Sequence, residues 1–147
     1  MIRAKEIRHI QGKILEVSSS YAASVKTYNI VTTFMSDDCK AYQIGNGICI
    51  WLDNEGRLGE IECIYPIISD VNSSVESTAE ITKIEGIPLI EIVSLDSNGY
   101  VVHQTEQFVI WFSENQQVSH EVRQGNIRYL LSKEQIVGIV ANGFEIR

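Results

Sequence analysis

Cysteine is scarce and unpatterned in this chain. Cys39, Cys49 and Cys63 form an odd set with no Cys-x-x-Cys pair, which excludes a disulfide framework and a structural zinc site as organising devices. Long apolar runs are missing too: stretches such as residues 47–52 fall far short of the roughly 18 residues a membrane-spanning helix needs. The opening "MIRAKEIRHIQGK" carries charge where a secretion signal holds its apolar stretch, so a cytoplasmic location is expected. His9, His103 and His120 stand far apart, without the i, i+4 or His-x-His spacing of a metal pair and without a nucleophile context such as Gly-x-Ser-x-Gly. The "GNG" at residues 45–47 is too short to cradle a phosphate and leads into an apolar arm, so it reads as a turn. Neither metal nor cofactor is expected.

Positive charge is nearly absent from the middle of the chain. Residues 58–122 hold eleven acids against the single base Lys83, a net −10, whereas residues 1–57 sum to +1 and residues 123–147 to +2. Such a segment repels nucleic acid and anionic membrane and steers a basic protein toward itself. The same imbalance also fits a solubility surface that has no partner. Trp51, Tyr65, Tyr100, Phe108, Trp111 and Phe112 lie in or beside this acidic stretch. As aromatics they serve sheet packing, or anchor a cationic partner amid carboxylates.

What the chain does contain is strand-forming sequence. Its 147 residues are 44% hydrophobic, enough for one domain that buries roughly 70% of its unfolded surface. Four stretches read as apolar arm, polar knot, apolar arm: "ICIWLDNEGRLGEIECI", "LIEIVSLDSNGYVVHQ", "FVIWFSENQQVSHEV" and "IRYLLSKEQIVGIVA". Asp, Asn, Ser and Gly suit tight turns, and the Ile-, Val- and aromatic-rich arms suit a pleated surface. Four hairpins are expected, the last three forming an antiparallel meander over residues 89–141. The expected fold is mainly β, a two-layer sandwich or a strongly curved sheet, in a single domain spanning residues 1–147. The polar run at residues 69–80, flanked by Pro66 and Pro88, could divide it into two lobes near residues 67–80.

For the first hairpin, a four-residue loop over residues 53–56 pairs Trp51 with Leu58 and Ile48 with Ile61. It sets Ile48, Ile50, Leu52, Ile61 and Cys63 on one face and Cys49, Trp51, Leu58, Glu60 and Glu62 on the other. A three-residue loop would press Glu60 and Glu62 against aliphatics, which disfavours it. Asp53 and Gly56 then shape a turn; the loop lacks the further ligands of a calcium site. Cys49 and Cys63 fall on opposite arms of this hairpin. Near the start, Ile7, Ile10, Ile14 and Val17 have helical spacing interrupted by Gly12, so one short helix and a strand are both open there. Paired acids could do glycosidic work, but ordinary alternation on a wetted strand explains Glu60 and Glu62 without it.

The stretch "IGNGICIWLDNEGRLGEIECIYP" resembles a small β-domain pattern of bacterial proteins, and is similar to immunity proteins of bacterial polymorphic toxin systems, including contact-dependent growth inhibition. The resemblance covers about residues 25–66 and rests on Leu52, Asp53, Gly56, Arg57, Leu58, Ile61 and Glu62. It implies a non-enzymatic cytoplasmic inhibitor that blocks the active site of one cognate toxin domain. Toxins of this kind that are nucleases carry cationic surface for their substrate, so an acidic inhibitor would mimic that charge. The expected contacts are Glu60, Glu62, Asp96, Glu106 and Glu114 as charge donors, with Trp51 or Trp111 as anchor.

Overall fold

Burial alternates along the arms as a half-buried pleated strand requires: in residues 48–52 the first, third and fifth side chains are buried and the two between are half-exposed. The computed structural model describes residues 1–9, 16–45, 47–69, 80–96, 98–114 and 117–147. Its strands are β1 (Ile2–His9), β2 (Val17–Ala22), β3 (Thr27–Thr32), β4 (Lys40–Ile44), β5 (Ile48–Leu52), β6 (Leu58–Ile64) and β7 (Ile68–Ser69). They continue as β8 (Thr82–Ile92), β9 (Tyr100–His103), β10 (Gln107–Trp111), β11 (His120–Gln124), β12 (Ile127–Ser132), β13 (Gln135–Asn142) and β14 (Glu145–Ile146). No α-helix occurs among the described residues; a single 3-10 turn, Ala23–Val25, joins β2 to β3. At the N-terminus, where helix and strand were both open, Ile7 lies in a strand and Val17 starts another, while residues 10–15 between them lie outside the described set.

The strands form two sheets, as the mainly-β expectation requires. The smaller has the order β14-β2-β3-β6-β5-β4, and the larger β1-β8-β11-β12-β13-β10-β9-β7. β1 also reaches β13, through Arg3 opposite Gln135 and an Ala4 N–H bond to the Glu134 carbonyl of 2.8 Å. The large sheet thus curls until β1, β8, β11, β12 and β13 meet in a closed ring. Between the two sheets lies one apolar core, with Tyr28, Ile50 and Ile61 from the small sheet against Ile90, Phe108 and Tyr129 from the large one. Tyr28 also bonds across the layers to His103 Nδ1 at 2.8 Å. A smaller cluster of Val109, Trp111, Leu130, Val137 and Val140 occupies the other face of the large sheet.

Two of the four expected hairpins form, β5–β6 and β12–β13. The other two do not: β8 runs between β1 and β11, and β10 between β13 and β9, so their arms part after the polar knot. The meander forms in part, as β9–β10 and β11-β12-β13 pair antiparallel in succession, but β8 and β10 take distant partners, β8 through a parallel contact with β11. Of the expected division near residues 67–80, residues 70–79 are outside the described set.

The first hairpin corrects the expected register. Asp53 and Arg57 close a three-residue loop, and the pairing then shifts by one residue at a bulge, so that Leu52 faces Leu58 but Trp51 faces Glu60. The bulge cancels the parity error that a three-residue loop would have caused, and Leu58 joins the buried face with Ile61 and Cys63. It falls at Gly59, where a Cβ would stand 3.0 Å from both Met35 Sδ and Cys39 Sγ. Cys63 thus points inward and Cys49 outward, and all three cysteines are free.

The polar knot is a turn with a second duty. Asp53 Oδ1 accepts the N–H groups of Glu55 (3.0 Å) and Arg57 (2.9 Å), while Oδ2 holds Arg57 Nε at 2.6 Å. The guanidinium lies 4.3 Å above the Phe34 ring. Gly56, at φ +89°, gives its carbonyl to Ile90 N–H at 2.7 Å and so joins the small sheet to the large. A Cβ there would meet the Ile90 carbonyl oxygen at 2.9 Å. Gly56→Ala is expected to cost about 2 kcal/mol or more in urea denaturation, because both φ and the close approach forbid a side chain; a loss below about 0.5 kcal/mol would remove this junction from the account.

Candidate functional site

Once β5 and β6 are set in this register, their outward side chains are fixed. Trp51 lies opposite Glu60 and Cys49 opposite Glu62. On the flanks, Ala41 and Gln43 of β4 face Trp51 and Cys49, and Asn29 and Val31 of β3 face Glu62 and Glu60. Ser18 and the buried Ser20 of β2 follow, and Glu145 of β14 stands beside Ser20 at the edge. None of these positions is Lys or Arg. Glu62 takes a long 3.4 Å hydrogen bond from Asn29 Nδ2, and neither Glu60 nor Glu62 joins an ion pair among the described residues.

This is an electrostatically uncompensated surface. Partial burial, reinforced by Glu62, pushes the Glu60 carboxyl up from its ordinary value of 4.5. Burial and then Glu62 and Glu60 likewise push the Cys49 thiol up. A cation brought against the face would relieve both effects.

Beyond Glu62 the outward side of β6 ends on Ile64, and the segment that follows is apolar and exposed. Ile64 is 46% exposed, Tyr65 64% and Ile67 68%, with Ile68 following. Tyr65 holds φ +47°, a conformation bulky residues rarely adopt, and its N–H bonds to the Lys26 carbonyl at 3.0 Å. The hairpin arm expected from the sequence ends at Ile64, so the exposed Tyr65, Ile67 and Ile68 lie beyond it. Pro66, which cannot continue the ladder, is the signal that marks where pairing ends and exposure begins.

Of the expected contacts, the structure brings three together: Trp51, Glu60 and Glu62. Trp111 is 1% exposed, packed in the smaller cluster beside Gly138, and cannot anchor a partner. Asp96 and Glu114 share a separate cavity of about 420 Å³, lined also by Ser94, Phe112 and Gln135. Leu95, next to Asp96, accepts the Gly45 N–H at 3.0 Å, so this cavity adjoins the β4–β5 turn. Glu106 stands alone in the β9–β10 turn, its carbonyl bonded to Gly143 N–H at 2.8 Å.

The acidic middle segment does not survive folding as one surface. Glu91 pairs with Arg3 at 3.1 Å and Glu121 with Arg128 at 2.7 Å, so flanking segments return cations among its acids. Glu60 and Glu62 are the pair that stays uncompensated on a sheet face. Among the described residues no group of three His, Cys, Asp or Glu could hold a metal ion, and no helix is long and apolar enough to cross a membrane. Compared with known protein families and with curated protein sequences, the chain finds no match in either.

Because Glu60 holds its proton to higher pH when folded, the native state carries more protons than the unfolded chain just above pH 4.5. Stability attributable to this group therefore falls as pH rises through that window. Glu60→Gln should be more stable than wild type at pH 7 by less than about 1 kcal/mol and equal to it near pH 4, as read by urea denaturation across pH. An identical difference at both pH values would contradict the assignment.

Proposed function

We propose that the protein is an immunity-type binding protein, which docks a cognate toxin domain of basic surface on the outer face of its small sheet and occludes that domain's active site. It acts in the cytoplasm and without catalysis. The observation that carries this reading is the pair Glu60 and Glu62, half-buried, without an ion pair among the described residues and set beside Trp51 on a face whose flanking positions on β2, β3 and β4 are uncharged. Carboxylates left in this state gain from a cationic partner what they lack within their own chain. The aromatic beside them supplies apolar area at the centre of the contact.

The dimensions support a composite surface. Five strands about 4.8 Å apart, each presenting about five residues at about 3.3 Å rise, give a face of roughly 20 by 17 Å. That is less than the roughly 800 Å² each partner contributes to a standard interface. Ile64 stands on that face, and the exposed Tyr65 and Ile67 that follow it in the chain offer further apolar area toward that size. A nuclease domain fits as partner, since it must hold a polyanion on cationic side chains.

The test takes any secreted protein encoded beside this chain's gene that ends in a basic C-terminal domain, and measures binding kinetics of that domain at low and physiological salt. Glu60→Lys with Glu62→Lys should slow association about tenfold or more at low salt, Trp51→Ala should chiefly speed dissociation, and Glu106→Lys should change neither. Unchanged association for the double Lys variant, or no binding by the wild-type protein, would overturn the reading.

A further inference from the structure

The outer side of the large sheet carries a second charged constellation, of the opposite balance. In the parallel β8–β11 contact Lys83 faces Glu121 and Glu85 faces Arg123; across β11–β12 Arg123 faces Arg128. Lys83, Glu85, Glu121, Arg123 and Arg128 line one cavity of about 500 Å³ together with Asn142. Three cations against two carboxylates leave it net positive in a chain of net charge −7.

The donors here are incompletely used. Two arginines directly opposite on antiparallel strands repel each other, and only Arg128 is neutralised, by Glu121 at 2.7 Å. Arg128 Nε is buried and meets no partner. Arg123 reaches only the Gly125 carbonyl, at 3.4 Å, and Lys83 forms no ion pair among the described residues. Arg123 also lines a second, open cavity of about 840 Å³ between the β11–β12 turn and the small sheet, where Val17 and Val31 sit beside Glu16, Ser18, Thr33 and Asn126. A charged end and a mixed apolar and hydroxyl-lined end thus meet at one guanidinium.

We propose that this groove binds a small organic oxyanion, a carboxylate or a phosphate monoester, held by Arg123, Arg128 and Lys83 with its body lying past Arg123 along Val17 and Val31. A singly charged group matches the surplus of one positive charge in the 500 Å³ cavity, Glu16 in the other cavity disfavours a second negative charge there, and the forked guanidinium donors suit either oxyanion. A polyanion such as nucleic acid is disfavoured, because its further charges meet Glu85, Glu121 and the protein's own negative field. Glu85, which has no ion-pair partner among the described residues, offers an acceptor to an N–H or O–H on the ligand. The volumes fall in the range of small-molecule sites, and the site lies at a seam between layers where such sites are common. The charged end of this groove lies on the large sheet, away from the docking face, while its other end shares Ser18 and Val31 with the β2–β3 edge of that face; the ligand reading does not rest on the docking one.

Phenyl phosphate and benzoate serve as probes, each in a thermal denaturation series against sodium chloride of equal ionic strength. At least one should raise the wild-type melting temperature by about 3–6 °C at ten times its dissociation constant, and which one does so separates the phosphate from the carboxylate reading. Arg123→Gln and Lys83→Gln, both at accessible positions, should melt near wild type in chloride and lose the shift, whereas Lys40→Gln should keep it. Arg128 is left intact because its loss would strand Glu121. No shift with either probe, or a shift that persists in Arg123→Gln, overturns the proposal.

Discussion

The hydrogen bond from Ile90 N–H to the Gly56 carbonyl is the constraint from which the arrangement of the small sheet follows. It fixes the tip of the β5–β6 hairpin against the large sheet, where Gly56 leaves no room for a side chain. Asp53 holds the tip in shape by capping two backbone N–H groups and the Arg57 side chain. With the tip fixed, the bulge at Gly59 decides what each later residue of β6 faces. One residue more or less would send Glu60 and Glu62 into a core of Ile30, Ile50 and Leu52. Burying two carboxylates there without partners would cost several kcal/mol. The outward acids are therefore a consequence of a backbone junction some distance away.

That junction also explains why charge counted along the chain misjudges charge on the surface. The middle segment is almost purely acidic in sequence, yet β1 brings Arg3 to Glu91 and β12 brings Arg128 to Glu121. Strand order mixes segments that are remote in sequence, and part of the excess, at Glu91 and Glu121, is neutralised in the large sheet. On the small sheet no neighbouring strand contributes an outward cation, so the excess persists there. The docking proposal thus rests on two carboxylates and their surroundings, not on the segment total.

The legible parts of the fold were those set by neighbours in sequence. The β5–β6 and β12–β13 hairpins join arms adjacent in the chain, and the alternation that put Ile48, Ile50, Leu52, Ile61 and Cys63 on one face is the one observed. Where the arms part, as after β8 and β10, a turn-like knot carries no information about which distant strand will pair. The β11–β12 hairpin was readable in principle: Gly125-Asn126 is a two-residue turn signal, and Gly125 takes the positive φ of 58° such a turn demands. Within the site, Trp51, Glu60 and Glu62 followed from strand parity. Trp111 did not, because both faces of the large sheet are packed and parity cannot say which tryptophan is exposed. The arginine groove was invisible for the same reason as the partners of β8 and β10, since β8 and β11 meet only through a long-range parallel pairing.

The central claim is that the outer face of the small sheet is where the basic toxin domain sits. Amide hydrogen exchange of the protein, free and saturated with that domain, tests it without any substitution. Slowed exchange is predicted in residues 41–43, 49–51 and 60–67, with the β9–β10 turn and the β8–β11 groove unchanged. Slowing confined to residues 83–85 and 121–128, or to the loops holding Glu106 and Glu114, would contradict it.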